Sequence, residues 1–94
     1  QLMVYSHPEI PDALSVDAVL INEASFAQPF PSLVLRFENL QGEILAQRRF
    51  QPREYLHGDL ADMTMMPARQ PVKLKLELID PGQDAVSYLL FIPK

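Results

Sequence analysis

No cysteine occurs in this chain. A disulfide framework and a thiolate zinc site are excluded within it, while the redox compartment stays open. Glycine is scarce: Gly42, Gly58 and Gly82 are the whole supply, and none of them opens a phosphate-cradling loop. No apolar run approaches the ~18 residues that a membrane-crossing helix needs. Basic residues are outnumbered, eight against twelve acidic ones, for a net charge of −4. That balance argues against a phosphate-binding surface, and so against nucleic acid as a partner. The first residue is Gln1 and not methionine. The chain is therefore read as a piece of a longer protein whose targeting signals lie outside it.

What is present describes a folded β-rich domain. The 94 residues suffice for one domain with one core, taken as residues 1–94. A hydrophobic share of 48% against a charged share of 21% is globular, not disordered. The nine prolines stand between apolar stretches rather than inside them, as strand-connecting loops require.

The clearest signal runs from Ser32 to Phe50. Leu33, Leu35 and Phe37 share one face of a strand, with Val34, Arg36 and Glu38 on the other. Asn39 to Gly42 supply a turn in which Gly42 can take positive φ. On the return strand Ile44, Ala46 and Arg48 share a face, and Leu45, Gln47 and Arg49 the opposite one. A four-residue loop sets Phe37 opposite Ile44, Leu35 opposite Ala46 and Leu33 opposite Arg48, at the cost of facing Glu38 with Glu43. A three-residue loop with a bulge sets Leu35 opposite Gln47 and Phe37 opposite Leu45. The first register is expected, because register follows the apolar face.

Around this hairpin, Leu2 to Tyr5 reads as an edge strand and Leu14 to Asn22 as a strand whose second half is apolar on both sides. Phe30, between Pro29 and Pro31, reads as an anchor over the core's edge. Gln51 to Leu56 reads as one helical turn near residues 52–56, with Pro52 at its first position and Gly58 to stop it. The spacing of Leu60, Met63 and Met66 suits a short helix. Val72 to Leu78 and Val86 to Ile92 are strands, the last with Val86, Tyr88, Leu90 and Ile92 inward and Leu89 and Phe91 outward. This all-β pattern predicts an antiparallel immunoglobulin-like β-sandwich, with a small open barrel as the alternative.

The order of features also carries a resemblance. His7-Pro8 and Pro11-Asp12 precede Leu14-x-Val16-x-Ala18-x-Leu20-x-Asn22. Then follow Pro31-x-Leu33-x-Leu35-x-Phe37, Gly42, the segment from Arg48 to Leu56 and a closing Tyr88. This resembles the uncharacterised C-terminal domain of bacterial single-pass membrane proteins that begin with a cytoplasmic zinc ribbon. The resemblance implies a β-sandwich on the periplasmic side of the inner membrane, joined to the membrane only through a segment outside this chain. It implies no known activity.

The chemistry-bearing residues are few. His57 and Asp59 form an H-x-D pair, but no third ligand is evident, so no metal site is expected. No serine sits in a nucleophile-elbow context. The chain is expected to be non-catalytic and to need no cofactor. Arg36, Arg48, Arg49 and Arg53 are its only basic concentration. Arg48, inward on its strand, is expected at the core's rim in an ion pair or bonded to carbonyls, with Arg49 facing out. Leu89 and Phe91 are the candidate contact with a protein partner or a second copy, because only Pro93 and Lys94 follow to cover them. Val19 and Ile21 are expected to be covered by the loop after them. The functional expectation is an interaction or scaffold domain. The alternative is a small-ligand-binding sandwich with a pocket near the 51–66 loop.

Overall fold

The computed structural model describes residues 2–93. Its strands are β1 (Leu2–Ser6), β2 (Ala13–Ile21), β3 (Gln28–Pro29), β4 (Leu33–Glu38), β5 (Ile44–Phe50), β6 (Met65–Met66), β7 (Pro71–Ile79) and β8 (Ser87–Phe91). A single α-helical turn, α1 (Pro52–Tyr55), and a 3-10 turn (Gly58–Leu60) are the only helices among the described residues. The strands form three small antiparallel sheets: β1-β2-β7, β5-β4-β8 and the short pair β3-β6.

The two larger sheets share one hydrophobic cluster. Val16 and Ala18 of β2 and Val72, Leu74 and Leu76 of β7 meet Leu33, Leu35 and Phe37 of β4 and Phe50 of β5. These residues alternate along their strands, so each strand buries one face. Tyr55 and Leu56, from α1 and the residue after it, complete the same cluster. Phe30 also belongs to it, and packs edge-on against Tyr55 with ring centroids 6.5 Å apart.

The central hairpin departs from the expected register. Asn39 N–H donates to the Glu43 carbonyl, leaving a three-residue loop in which Gly42 has φ +81°. Asn39 Oδ1 accepts from the backbone N–H groups of Gln41 and Glu43. These bonds outweigh the apolar match that favoured the longer loop. The pairing then shifts once more: Glu38 faces Ile44, but Phe37 faces Ala46, so Leu45 is an extra residue on β5. The bulge returns Ala46, Arg48 and Phe50 to the inward side, opposite Phe37, Leu35 and Leu33. Ile44, expected inward, is 55% exposed.

Three further expectations are corrected. Residues 60–66 form no helix: the 3-10 turn ends at Leu60, and Met65–Met66 pairs with Gln28–Pro29. Leu60 and Met63 still pack on the core, and Met66 is buried, so the apolar spacing served a looped path. Val19 and Ile21 are not covered, being 37% and 51% exposed. Asn22, which follows them, is itself buried. Finally, the inward side of β8 is only partly shielded: Leu90 packs on the core, but Tyr88 stays 44% exposed.

Candidate interaction surface

β8 lies at the edge of its sheet beside β4. Its outward residues continue two rows that cross the sheet. One row is Arg49–Val34–Phe91 and the other Gln47–Arg36–Leu89. Cross-strand neighbours share a face, so these six side chains form one outer surface. A solvated sheet face is polar, as Lys73, Lys75 and Glu77 show on β7. Here Leu89 is 48% exposed and Phe91 half-buried. Val34, flanked by Arg49 and Phe91, is 4% exposed despite facing outward.

Arg36 organises this surface. Its guanidinium lies 4.9 Å from the centre of the Phe91 ring, and its Nε donates to Gln47 Oε1 at 2.8 Å. A cation over an aromatic face and a hydrogen bond at its side hold the group in one orientation. The sequence reading grouped Arg36 with the other arginines and missed this stacking. The signal was available: Arg36 alternates with Val34 on the face away from the core, and Phe91 shares the outward face of the last strand.

Arg48 lies on the opposite side of β5. Its Nη2 donates to Glu54 Oε2 at 3.1 Å, its Nη1 donates to the Glu77 carbonyl at 3.1 Å, and its guanidinium lies 4.5 Å from the Phe50 ring centre. The side chain is 47% exposed. Glu54 Oε1 accepts the Gln51 N–H at 2.8 Å. That backbone bond first, and then Arg48, hold the Glu54 carboxyl below its ordinary pKa. His57 Nε2 meets the Lys75 carbonyl at 3.1 Å. Lys75 and Glu77 are two residues apart on the terminal strand β7, so their carbonyls point to the same free edge. Arg48 and His57 thus cap that edge with side-chain donors.

The chain's other candidate residues stay apart. His7 Nδ1 accepts from the N–H groups of Glu9 and Ile10, and its Nε2 lies 3.4 Å from Glu77 Oε2. His57 has no such neighbour, and among the described residues no group of three His, Asp or Glu side chains is arranged to hold a metal ion. Tyr55 is fully buried and its hydroxyl donates to the Pro31 carbonyl at 2.6 Å. Burial pushes its pKa up to about 12.

Open cavities flank the sheets, among them two large ones. An apolar cleft of about 500 Å³ opens between the β1 and β8 sides, lined by Leu2, Leu20, Leu33, Leu90 and Ile92 among others, and Leu89 and Phe91 also border it. A second groove of about 440 Å³ is lined by Met3, Asp17, Val19, His57, Lys73 and Lys75 among others. His57 is the one residue of the 51–66 segment that lines either of them. Among the described residues no helix is long and apolar enough to cross a membrane.

No curated protein and no solved structure gives a match to this chain. One family model does, and it covers residues 1–92. Matched over nearly its whole length, the chain belongs to the family described as protein of unknown function, DUF3426.

Proposed function

We propose that this chain is a non-catalytic interaction domain of a membrane-anchored bacterial protein, held on the periplasmic side of the inner membrane. Its architecture is an immunoglobulin-like β-sandwich, with β1-β2-β7 as one layer and β5-β4-β8 as the other. The sharing of one cluster by the inward faces of both sheets supports that reading. The resemblance in residue order supports the membrane context. The observation that carries the interaction role is the outer face at Leu89 and Phe91, apolar and accessible where a solvated sheet is polar.

The test is Phe91→Ser in the 94-residue chain. The expected result is a stability loss under about 1.5 kcal/mol, since Phe91 is only half-buried, with loss of self-association or of a captured partner. A loss of ~3 kcal/mol or more, as for a core aromatic, places Phe91 in the core and removes the interface. A second reading, a small-ligand-binding domain, draws on the apolar cleft between the β1 and β8 sides. Saturable binding of an apolar dye that is abolished by Leu90→Trp favours that reading instead.

A further inference from the structure

The partner's chemistry is written in the charges of the same face, and this inference rests on the interaction reading above. Arg36 and Arg49 both stand on the outer surface of β5-β4-β8, in adjacent rows with Val34, Leu89 and Phe91. The ion pairs of the described residues are His7–Glu77 and Arg48–Glu54. Neither arginine of this face therefore has a carboxylate within 4 Å among them. Glu38 also lies on this face, one row beyond Arg36, and it too makes no ion pair among the described residues. Two unpaired guanidinium groups thus concentrate on one surface of a chain whose net charge is −4. Aromatic and arginine side chains together are the pair enriched at interfaces rather than on solvated sheet. Arg36 is fixed over Phe91 before any partner arrives, so little side-chain entropy remains to be lost on binding.

We infer that this face docks an acidic, apolar protein segment, whose carboxylates meet Arg36 and Arg49 while its apolar side chains cover Leu89 and Phe91. The spacing favours an extended segment. Arg36 faces Gln47, and Arg49 is two residues beyond it, which sets the two arginines on a sheet diagonal roughly 7–8 Å apart. Alternate residues of an extended strand are separated by about 7 Å. Two acidic residues with one residue between them therefore match the two guanidinium groups. A second copy of this chain is a poorer occupant, because stacking the face on itself brings four guanidinium groups together against two Glu38 carboxylates.

The experiment is a titration of the isotope-labelled 94-residue chain with three short capped peptides, followed by backbone amide shifts. In the first peptide the alternate residues are glutamate, glutamate, phenylalanine and leucine, with serine between them. In the other two, glutamine or lysine replaces glutamate. The expected result is saturable shifts at Arg36, Arg49, Leu89 and Phe91 with the glutamate peptide. The binding weakens with salt and falls about fivefold or more in Arg36→Gln/Arg49→Gln. The double variant stays folded, with a melting temperature lowered by no more than about 5 °C through loss of the Arg36–Phe91 stack, and the lysine peptide does not bind. Equal binding of the glutamate and glutamine peptides overturns the carboxylate inference but leaves the apolar contact standing. Shifts elsewhere on the chain, or none with any peptide, overturn the inference. Concentration-dependent dimerisation through this face with no peptide bound overturns it in favour of the second copy.

Discussion

At the residue scale, two buried polar groups do structural work that composition alone did not announce. Asn22 is 2% exposed, and its Nδ2 donates to the carbonyls of Phe26 and Met66 while its Oδ1 accepts from Ala24 N–H. From sequence it was visible only as the end of a strand. Its bonds reach a partner far along the chain, which no local spacing encodes. Tyr55 was visible as part of the helical turn near residues 52–56, but its acceptor, the Pro31 carbonyl, was not legible. The burial of the Tyr55 ring has a measurable consequence. Tyr55 ionises at about 12 in the folded chain against the ordinary 10.0. Between these values the unfolded chain has released the phenolic proton and the folded chain still holds it. Stability is therefore full below pH ~10 and falls as the pH rises toward ~12. Urea melts across that range show the decline in the native chain, and Tyr55→Phe removes this part of it. A decline of the same size in Tyr55→Phe assigns the effect to other groups.

Secondary-structure elements were read well where one period ran unbroken and poorly where a turn decided the outcome. β7 alternates cleanly from Val72 to Leu78, and its burial follows that alternation. The β4–β5 hairpin obeyed Asn39 instead of its apolar residues, and a bulge at Leu45 then restored the inward face. Turn chemistry and bulge position are set by a few hydrogen bonds, which hydrophobic counting does not weigh. Ile44 apart, the faces survived the error, so the inward position of Arg48 and the outward positions of Leu89 and Phe91 could be read without the correct register. Arg48 links three elements at once: β5 on which it lies, α1 through Glu54, and β7 through the Glu77 carbonyl. Arg49, one residue on, faces out and makes no ion pair among the described residues. Arg48→Ala is expected to lower the melting temperature by about 3–6 °C, and Arg49→Ala by less than about 2 °C. Equal shifts in a thermal melt, in either direction, contradict this division of labour.

For the whole molecule, the two central strands, β2 and β4, each hold a neighbour close in sequence and another from the far end of the chain. Val16 pairs with Val4 and Leu76, and Phe37 with Ala46 and Tyr88. Such distant pairings delay folding, because loops must close before the contacts repay them. Refolding in stopped flow is expected on a scale of ~10 ms to 1 s, and a submillisecond phase carrying the full amplitude contradicts it. The all-β class was recoverable from alternation, but the split into three sheets was not, since β3 and β6 are two residues long and carry no period. One feature of the arrangement bears on mechanics. Leu2 and Ile92, near opposite ends of the chain, line the same cleft, and β1 and β8 are each the outermost strand of a sheet. A force that draws the two ends apart across this cleft loads the ladders rung by rung, starting at Leu2–Ala18 and Phe91–Val34. Pulled in that direction the domain peels open like a zipper instead of resisting in shear, and β1 and β8, the latter with Leu89 and Phe91, are the strands loaded first.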